Sequence, residues 1–173
     1  MMKKIVTKGY ATPCGELIIG SYEGQICLCD WRESGRREAT DRRIRHMLQA
    51  EYVAGESPLI TETIRQLEEY FARQRKEFDL PLLPVGSDFQ LSVWRSLQQI
   101  PYGTTITYAT QAQRMQQPSA IRAIANANGS NALSILIPCH RVIGSNRKLT
   151  GYAGGLDTKR YLLQLEQQES LFF

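Results

Sequence analysis

Leu133-Ser134-Ile135-Leu136-Ile137-Pro138-Cys139-His140-Arg141-Val142 sets a cysteine and a histidine side by side at the end of an apolar run. Such a run reads as a buried strand or extended segment. Pro138 lacks an N–H and disfavours helix at Ile137, so regular pairing is expected to stop there. Cys139 is therefore expected where the chain leaves the core, within reach of a ligand. A thiol reacts as its thiolate, and a neighbouring base or cation makes the thiolate accessible. His140 and Arg141 are the candidates for that part. A bare Cys-His pair also fits an inert buried cysteine beside a surface histidine, so its meaning depends on the surrounding chain.

Downstream, Gly151-Tyr152-Ala153-Gly154-Gly155 is nearly bare of side chains and suits close approach to a ligand. Asp157 can cap a last helix running to Gln168, with Tyr161, Leu162 and Leu165 as its inner face. Glu166 falls one turn after Leu162, at the edge of that face. A carboxylate there needs a partner, and Cys139-His140 is the chemistry in need of an acid.

Upstream, Asn128-Gly129-Ser130-Asn131 predicts a sharp turn. A helix is expected before it, from about Pro118 to Asn128. Thr107 can cap a shorter helix through Met115, and Gln116-Gln117-Pro118-Ser119 joins the two, which makes a helix-turn-helix candidate. At 100° per residue, Ile121, Ile124 and Ala125 should face the core. Ser119, Arg122, Ala123 and Asn126 fall opposite, with Ala127 at the edge. This outer face is small and polar with one long cation. It fits a helix that lies close against another surface, and it also fits an ordinary solvated helix with a snorkelling arginine. Further back, Ser87 and Gln90 form a capping box for a helix carrying Phe89, Val93, Leu97 and Ile100 on one face. Pro101-Tyr102-Gly103 ends it.

The first half is patterned differently. Thr7–Thr12, Glu16–Ser21 and Gln25–Trp31 read as an antiparallel meander broken by turn residues. Residues 33–57 are charged and irregular, with helix expected only around Arg42 to Ala50. Ser57-Pro58 opens a clear helix striped by Ile60, Ile64, Leu67 and Phe71. The Pro-containing link Leu80 to Gly86 is expected to divide the chain. The expected fold is α+β: a small sheet-and-helix domain over residues 1–85, then a mostly helical domain over 86–173 that carries the helix-turn-helix and the cysteine.

With 42% apolar and 22% charged residues among 173, the composition is that of a globular protein. It holds no apolar run near the ~18 residues that span a bilayer. Thr7, Lys8 and Gly9 interrupt any signal-peptide core. A cytoplasmic, monomeric protein with no membrane association is expected, its four cysteines reduced. Cys27 and Cys29 share one side of a strand and could join Cys14 and His46 around zinc. No C-x-x-C spacing supports this, so neither metal nor cofactor is expected. The net charge of +4 permits an anionic partner without demanding one.

The motifs together resemble the O6-alkylguanine-DNA alkyltransferase family. Pro138-Cys139-His140-Arg141-Val142, Gly151-Tyr152-Ala153-Gly154-Gly155, Ile100-Pro101-Tyr102-Gly103 and Ala120-Ile121-Arg122-Ala123 carry the resemblance, with Asn131 eight residues before the cysteine. It is strong over 87–168 and only an outline before that. It implies direct repair of double-stranded DNA: one alkyl group moves from O6-alkylguanine, or O4-alkylthymine, to Cys139 in a single turnover. His140 would take the thiol proton through a water, Glu166 would orient His140, Asn131 would hold the turn, and Tyr108 would protonate or hydrogen-bond the leaving guanine. The base must leave the stack to be reached. By the same resemblance the second helix enters the minor groove through Ser119, Arg122, Ala123, Asn126 and Ala127, and Arg122 fills the gap. Val142, Tyr152, Ala153, Ser134 and Pro138 would form the pocket. Ala153 replaces a serine and Ser134 a proline of some members, which leaves the substrate range open. Members with a metal-binding N-terminal extension carry cysteines absent here, so no such regulatory domain is expected. A non-transferring damage binder, a turning-over cysteine hydrolase and a regulator without chemistry are the other classes. Cys139 opposes the first, and no oxyanion site is evident for the second.

Overall fold

The computed structural model describes residues 2–146 and 151–167. The first half is a four-stranded sheet with two helices. Strands β1 (Lys3–Thr12), β2 (Gly15–Tyr22) and β3 (Gln25–Trp31) form the expected antiparallel meander. Helix α1 (Arg37–Leu48) then crosses over, so that β4 (Ala50–Ala54) pairs parallel with β1 and the strand order is β3-β2-β1-β4. Helix α2 (Pro58–Phe71) follows, its first turn capped by Ser57 Oγ, which accepts from the Ile60 N–H at 3.1 Å.

Residues 33–57 therefore correct the expectation of a mostly irregular charged stretch. The helix begins five residues early because Arg37 pairs with Asp41 and Arg42 with Glu38 one turn apart. Gln49 ends it in the left-handed region (φ 50°). The strand after it is too short to stand out by pattern and exists because β1 offers it an edge.

The second half is mostly helical: α3 (Asp88–Leu97), a two-residue strand β5 (Ile106–Thr107), α4 (Tyr108–Arg114), α5 (Ile121–Gly129), a 3₁₀ turn (Cys139–Arg141), a short strand β6 (Val142–Ile143) and α6 (Leu156–Gln167). The caps read from sequence form here. Ser87 and Gln90 make the reciprocal box at 3.1 and 2.9 Å, and Thr107 Oγ1 accepts from the Thr110 N–H at 3.0 Å.

Helix α5 starts at Ile121, not Pro118, and its inner face is turned from the one expected. Ile124, Ala127 and Asn128 point inward, whereas Ile121 is 39% exposed and Ala127, expected at the outer edge, is 2% exposed. The cause is polar and non-local. The Asn128 and Gln111 amides bond reciprocally across α4 and α5 at 2.8 and 3.0 Å, and Gln111 also donates to Ser96 Oγ on α3 at 3.1 Å. A satisfied amide can be buried, and this one rotates the helix. On α6, Asp157 lies within the first turn and pairs with Arg160 instead of capping, and Tyr161 is 37% exposed. Gln168 lies outside the described residues.

One hydrophobic core joins the halves. Leu17, Ile19, Trp31, Leu67 and Tyr70 pack with Val93, Leu97, Ile124, Leu133 and Leu162. The link after α2 runs along β3, the Ile26 N–H donating to Pro81 O and the Leu83 N–H to Ile26 O, each at 2.8 Å. Two arginines beside or on α1 reach the C-terminal end of α5. Arg36 donates to Asn126 O and Ser130 Oγ at 3.2 and 3.1 Å, and Arg43 to Ser130 O and Val85 O at 2.9 Å. Gly129 leaves room for that approach, since a Cβ there would stand 2.9 Å from the Arg36 guanidinium carbon and the arginine would have to shift.

Replacing Gln111 with alanine strands the buried Asn128 amide. Denaturant unfolding of Gln111→Ala should show a loss of about 1–3 kcal/mol. A loss indistinguishable from zero would show that the amide pair does not hold α4 against α5.

Candidate active site

The apolar run before Cys139 is buried as expected, but it is not a strand. Only its start pairs with the sheet, the Cys29 N–H donating to Ala132 O and the Ser134 N–H to Cys29 O, each at 2.8 Å. Ile135 then takes φ 70°, and the Ile137 N–H folds back onto Leu133 O at 2.8 Å. Asn131 holds this reversal. Its Nδ2 donates to Ile137 O at 2.9 Å and to Cys139 Sγ at 3.3 Å, while its Oδ1 accepts from the Leu133 N–H at 3.0 Å. The chain therefore enters the 3₁₀ turn inside the protein, and Cys139 is buried instead of leaving the core.

Burial pushes the Cys139 thiol up to about 11, with the Asn131 amide and the Lys159 cation acting in the opposite direction. Lys159 is fully buried on α6 and donates to Val142 O at 2.7 Å. Burial lowers it to about 8, and the charge of Cys139 opposes that shift. Sequence reading missed Lys159. The available signal was its position seven residues before Glu166, on the same side of α6 as Leu162 and Leu163.

His140 and Glu166 meet as expected, His140 Nε2 standing 2.6 Å from Glu166 Oε2. Burial raises the Glu166 pKa, but the charge of His140 and hydrogen bonds from His140 and Arg141 outweigh it and hold the carboxyl well below the usual range. Against a carboxylate, the Nε2–H donates. His140 Nδ1 is buried and has no protein partner. Arg141, expected to assist the thiolate, is instead turned to the acid. Its Nε reaches Oε1 at 2.8 Å, Nη2 reaches Oε2 at 3.1 Å, and Nη1 donates to Ile100 O at 2.7 Å. Two further donors complete the carboxylate: the Gly103 N–H on Oε1 at 3.3 Å and the Tyr70 hydroxyl on Oε2 at 2.6 Å.

A cleft of about 710 Å³ is lined by Tyr108, Ile121, Arg122, Ala125, Tyr152 and Ala153, and the residues of the 3₁₀ turn are not among its walls. Tyr108 begins α4, and its ring lies 6.0 Å from Lys159 Nζ. The Tyr152 loop rests on the first sheet. Trp31 Nε1 donates to the Tyr152 hydroxyl at 3.1 Å, and a Cβ at Gly154 would stand 2.7 Å from the indole, so this loop can seat there only as glycine.

The other expected pocket residues are placed differently. Val142 is fully buried and offers its carbonyl to Lys159, Ser134 is buried, and Pro138 lines a separate cavity of about 280 Å³ with Ile135, Tyr102 and Arg141. On the outer side, Ser119, Arg122, Ala123 and Asn126 are exposed, and Ala127 is not. Among the described residues no group of three His, Cys, Asp or Glu side chains is arranged to hold a metal, and no helix is long and apolar enough to cross a membrane.

Residues 88–168 match the family described as 6-O-methylguanine DNA methyltransferase, DNA binding domain, and residues 5–84 match its ribonuclease-like domain. A constitutive methylated-DNA–protein-cysteine methyltransferase of Bacillus subtilis is 42% identical over 165 residues, covering 90% of this chain and 92% of that protein. The methylated-DNA–protein-cysteine methyltransferase of Methanosarcina acetivorans is 55% identical over 105 residues, 61% of this chain and 67% of its own. The structure of Mycobacterium tuberculosis OGT in complex with DNA superposes with a TM-score of 0.78 at 35% identity, covering 95% of this chain and 93% of that one. With both family models matched in order and a relative aligned over nearly its whole length, this chain belongs to the 6-O-methylguanine DNA methyltransferase family.

Proposed function

We propose that the protein repairs DNA by moving the alkyl group of O6-alkylguanine onto Cys139, which then stays alkylated. Residues 86–173 carry DNA binding and transfer, and residues 1–85 support them. The observation that carries the reading is the buried His140 imidazole, anchored through Nε2 to Glu166 while Nδ1 lacks a protein partner. A buried ring nitrogen of this kind requires a hydrogen-bond partner such as water. A water there can pass the thiol proton to Nδ1. A thiol pushed up to about 11 by burial is protonated at neutral pH and needs such a base.

In the transfer, sulfur attacks the alkyl carbon, an S–C bond forms and the C–O6 bond breaks. The thiol proton passes to His140, and the guanine leaves as an anion that Tyr108, on the wall of the cleft, can protonate. The Lys159 cation favours the sulfur anion as it develops. Glu166 keeps the imidazole oriented, and Asn131 fixes the turn and donates to the sulfur. The base reaches the cleft only after leaving the stack. Arg122 fills the gap, a role that its exposure on α5 and its position on the wall of the cleft support. Ser119, Ala123 and Asn126 face the backbone of the groove, so binding is sequence-tolerant and salt-dependent. O4-alkylthymine presents the same O-alkyl bond and is a second substrate.

A thioether has no carbonyl to polarise, and its release would expel a thiolate from an unactivated carbon. Mass spectrometry of protein mixed with excess O6-methylguanine DNA should therefore stop at about one methyl per protein, on the peptide containing Cys139, as expected of a nucleophile halted at its covalent adduct. Continued repair past equivalence, or methyl on Cys14, Cys27 or Cys29, overturns the reading. Arg122→Ala should slow repair of duplex DNA, because replaced stacking is worth about a few kcal/mol per step. It should leave transfer from the free alkylated base nearly unchanged. Equal losses on both substrates would place Arg122 in pocket support instead.

A further inference from the structure

Tyr70 belongs to α2, in the half of the chain that carries neither the cysteine nor the DNA-facing helices. It is fully buried, its ring 5.3 Å from Phe71, 5.6 Å from Phe78 and 6.3 Å from Tyr102. A phenylalanine would fill that aromatic nest equally well. The hydroxyl has a separate reason to be there: it donates to Glu166 Oε2 at 2.6 Å, the same oxygen that holds His140 Nε2 at 2.6 Å. Arg141 Nη2 also reaches this oxygen, at 3.1 Å, so Tyr70 and His140 are the two nearest of three donors that share its charge, and each weakens the others' hold.

We propose that Tyr70 is a positioning residue for alkyl transfer, its hydroxyl setting how firmly Glu166 holds the His140 imidazolium. The proposal rests on the His140 relay described above. Other groups facing Glu166 are accounted for. Arg141 comes from the 3₁₀ turn and the Gly103 N–H from the segment after α3. Lys76 and Arg141 both lie over the Tyr102 ring, at 5.6 and 5.7 Å. Lys159, on α6 itself, is turned to Val142 O. Burial and the Glu166 charge keep the Tyr70 phenol well above its ordinary range, so it stays a donor throughout the assay range.

Without the hydroxyl, more of the Oε2 charge falls on His140, and the imidazolium is held more tightly. Tyr70→Phe should slow methyl transfer from O6-methylguanine DNA about three- to tenfold near neutral pH, the order expected for one hydrogen bond to a charged group. The acid limb of its pH–rate profile should move to higher pH, and the rate should recover at alkaline pH. In a His140→Ala background the same change should have no effect, because linked groups are not additive. A loss by one constant factor at every pH, an equal loss in both backgrounds, or no loss at all overturns the proposal. Replacing Tyr70 with 3,5-difluorotyrosine keeps the hydroxyl and makes it a stronger donor. It should move the acid limb the other way, and an unmoved limb counts against the proposal even if Tyr70→Phe folds poorly. Failure of the unaltered protein to accept any methyl would overturn the reading of Cys139 itself. Transfer by the unaltered protein with an unshifted Tyr70→Phe would overturn only the role of Tyr70.

Discussion

The buried carboxylate of Glu166 is the constraint on which the rest of the structure depends. Only 2% of the residue is exposed, and an ion taken out of water at that depth costs several kcal/mol unless it is matched. The matching groups come from far apart in the chain: Tyr70 in α2, Gly103 after α3, and His140 and Arg141 in the 3₁₀ turn. Helix α6 can therefore dock only when the sheet-and-helix half and the helical half are both in place. Because the folded carboxyl is held below its ordinary range, the stability this arrangement contributes is present above a pH of about 4.3 and is lost as pH falls below it.

The same burial gives Cys139 its character. A thiol pushed up to about 11 is unreactive at rest. Asn131 and Lys159 act in the opposite direction. Under the proposed function, reactivity is tied to a proton path and not to an exposed thiolate. The first sheet contributes on the cleft side as well. Trp31 seats the Tyr152 loop, and Thr158 at the start of α6 donates to Cys14 O at 3.0 Å in the turn between β1 and β2. The half of the chain without Cys139 thus contacts both the Tyr152 loop of the cleft and, through Tyr70, the Glu166 carboxylate.

What was legible in the sequence was local. The Ser57, Ser87 and Thr107 caps and the strand turns depend on neighbours within a few residues, and they formed where expected. The meeting of His140 and Glu166 was legible because a lone carboxylate on a helix's inner edge needs a partner. Features decided by distant groups were not legible. The β4 strand needs the β1 edge, and the inward turn of α5 needs Gln111 to satisfy Asn128. Lys159 was passed over, its burial being set by distant groups, and Arg141 looked like a neighbour of the thiol until Glu166 claimed it. The left-handed Ile135 hid most completely, since a run of β-branched and aliphatic residues gives no hint of a turn.

The central claim is that His140 and Glu166 act on Cys139 as one unit. The most direct measurement is the rate of methyl transfer from O6-methylguanine DNA for His140→Ala, Glu166→Gln and the double variant. Each single variant should lose about 10²- to 10⁴-fold, the usual contribution of a positioned base. The double variant should be no slower than the slower single. Losses that multiply in the double variant would contradict the account, because they would mean that the two residues act on the thiol independently.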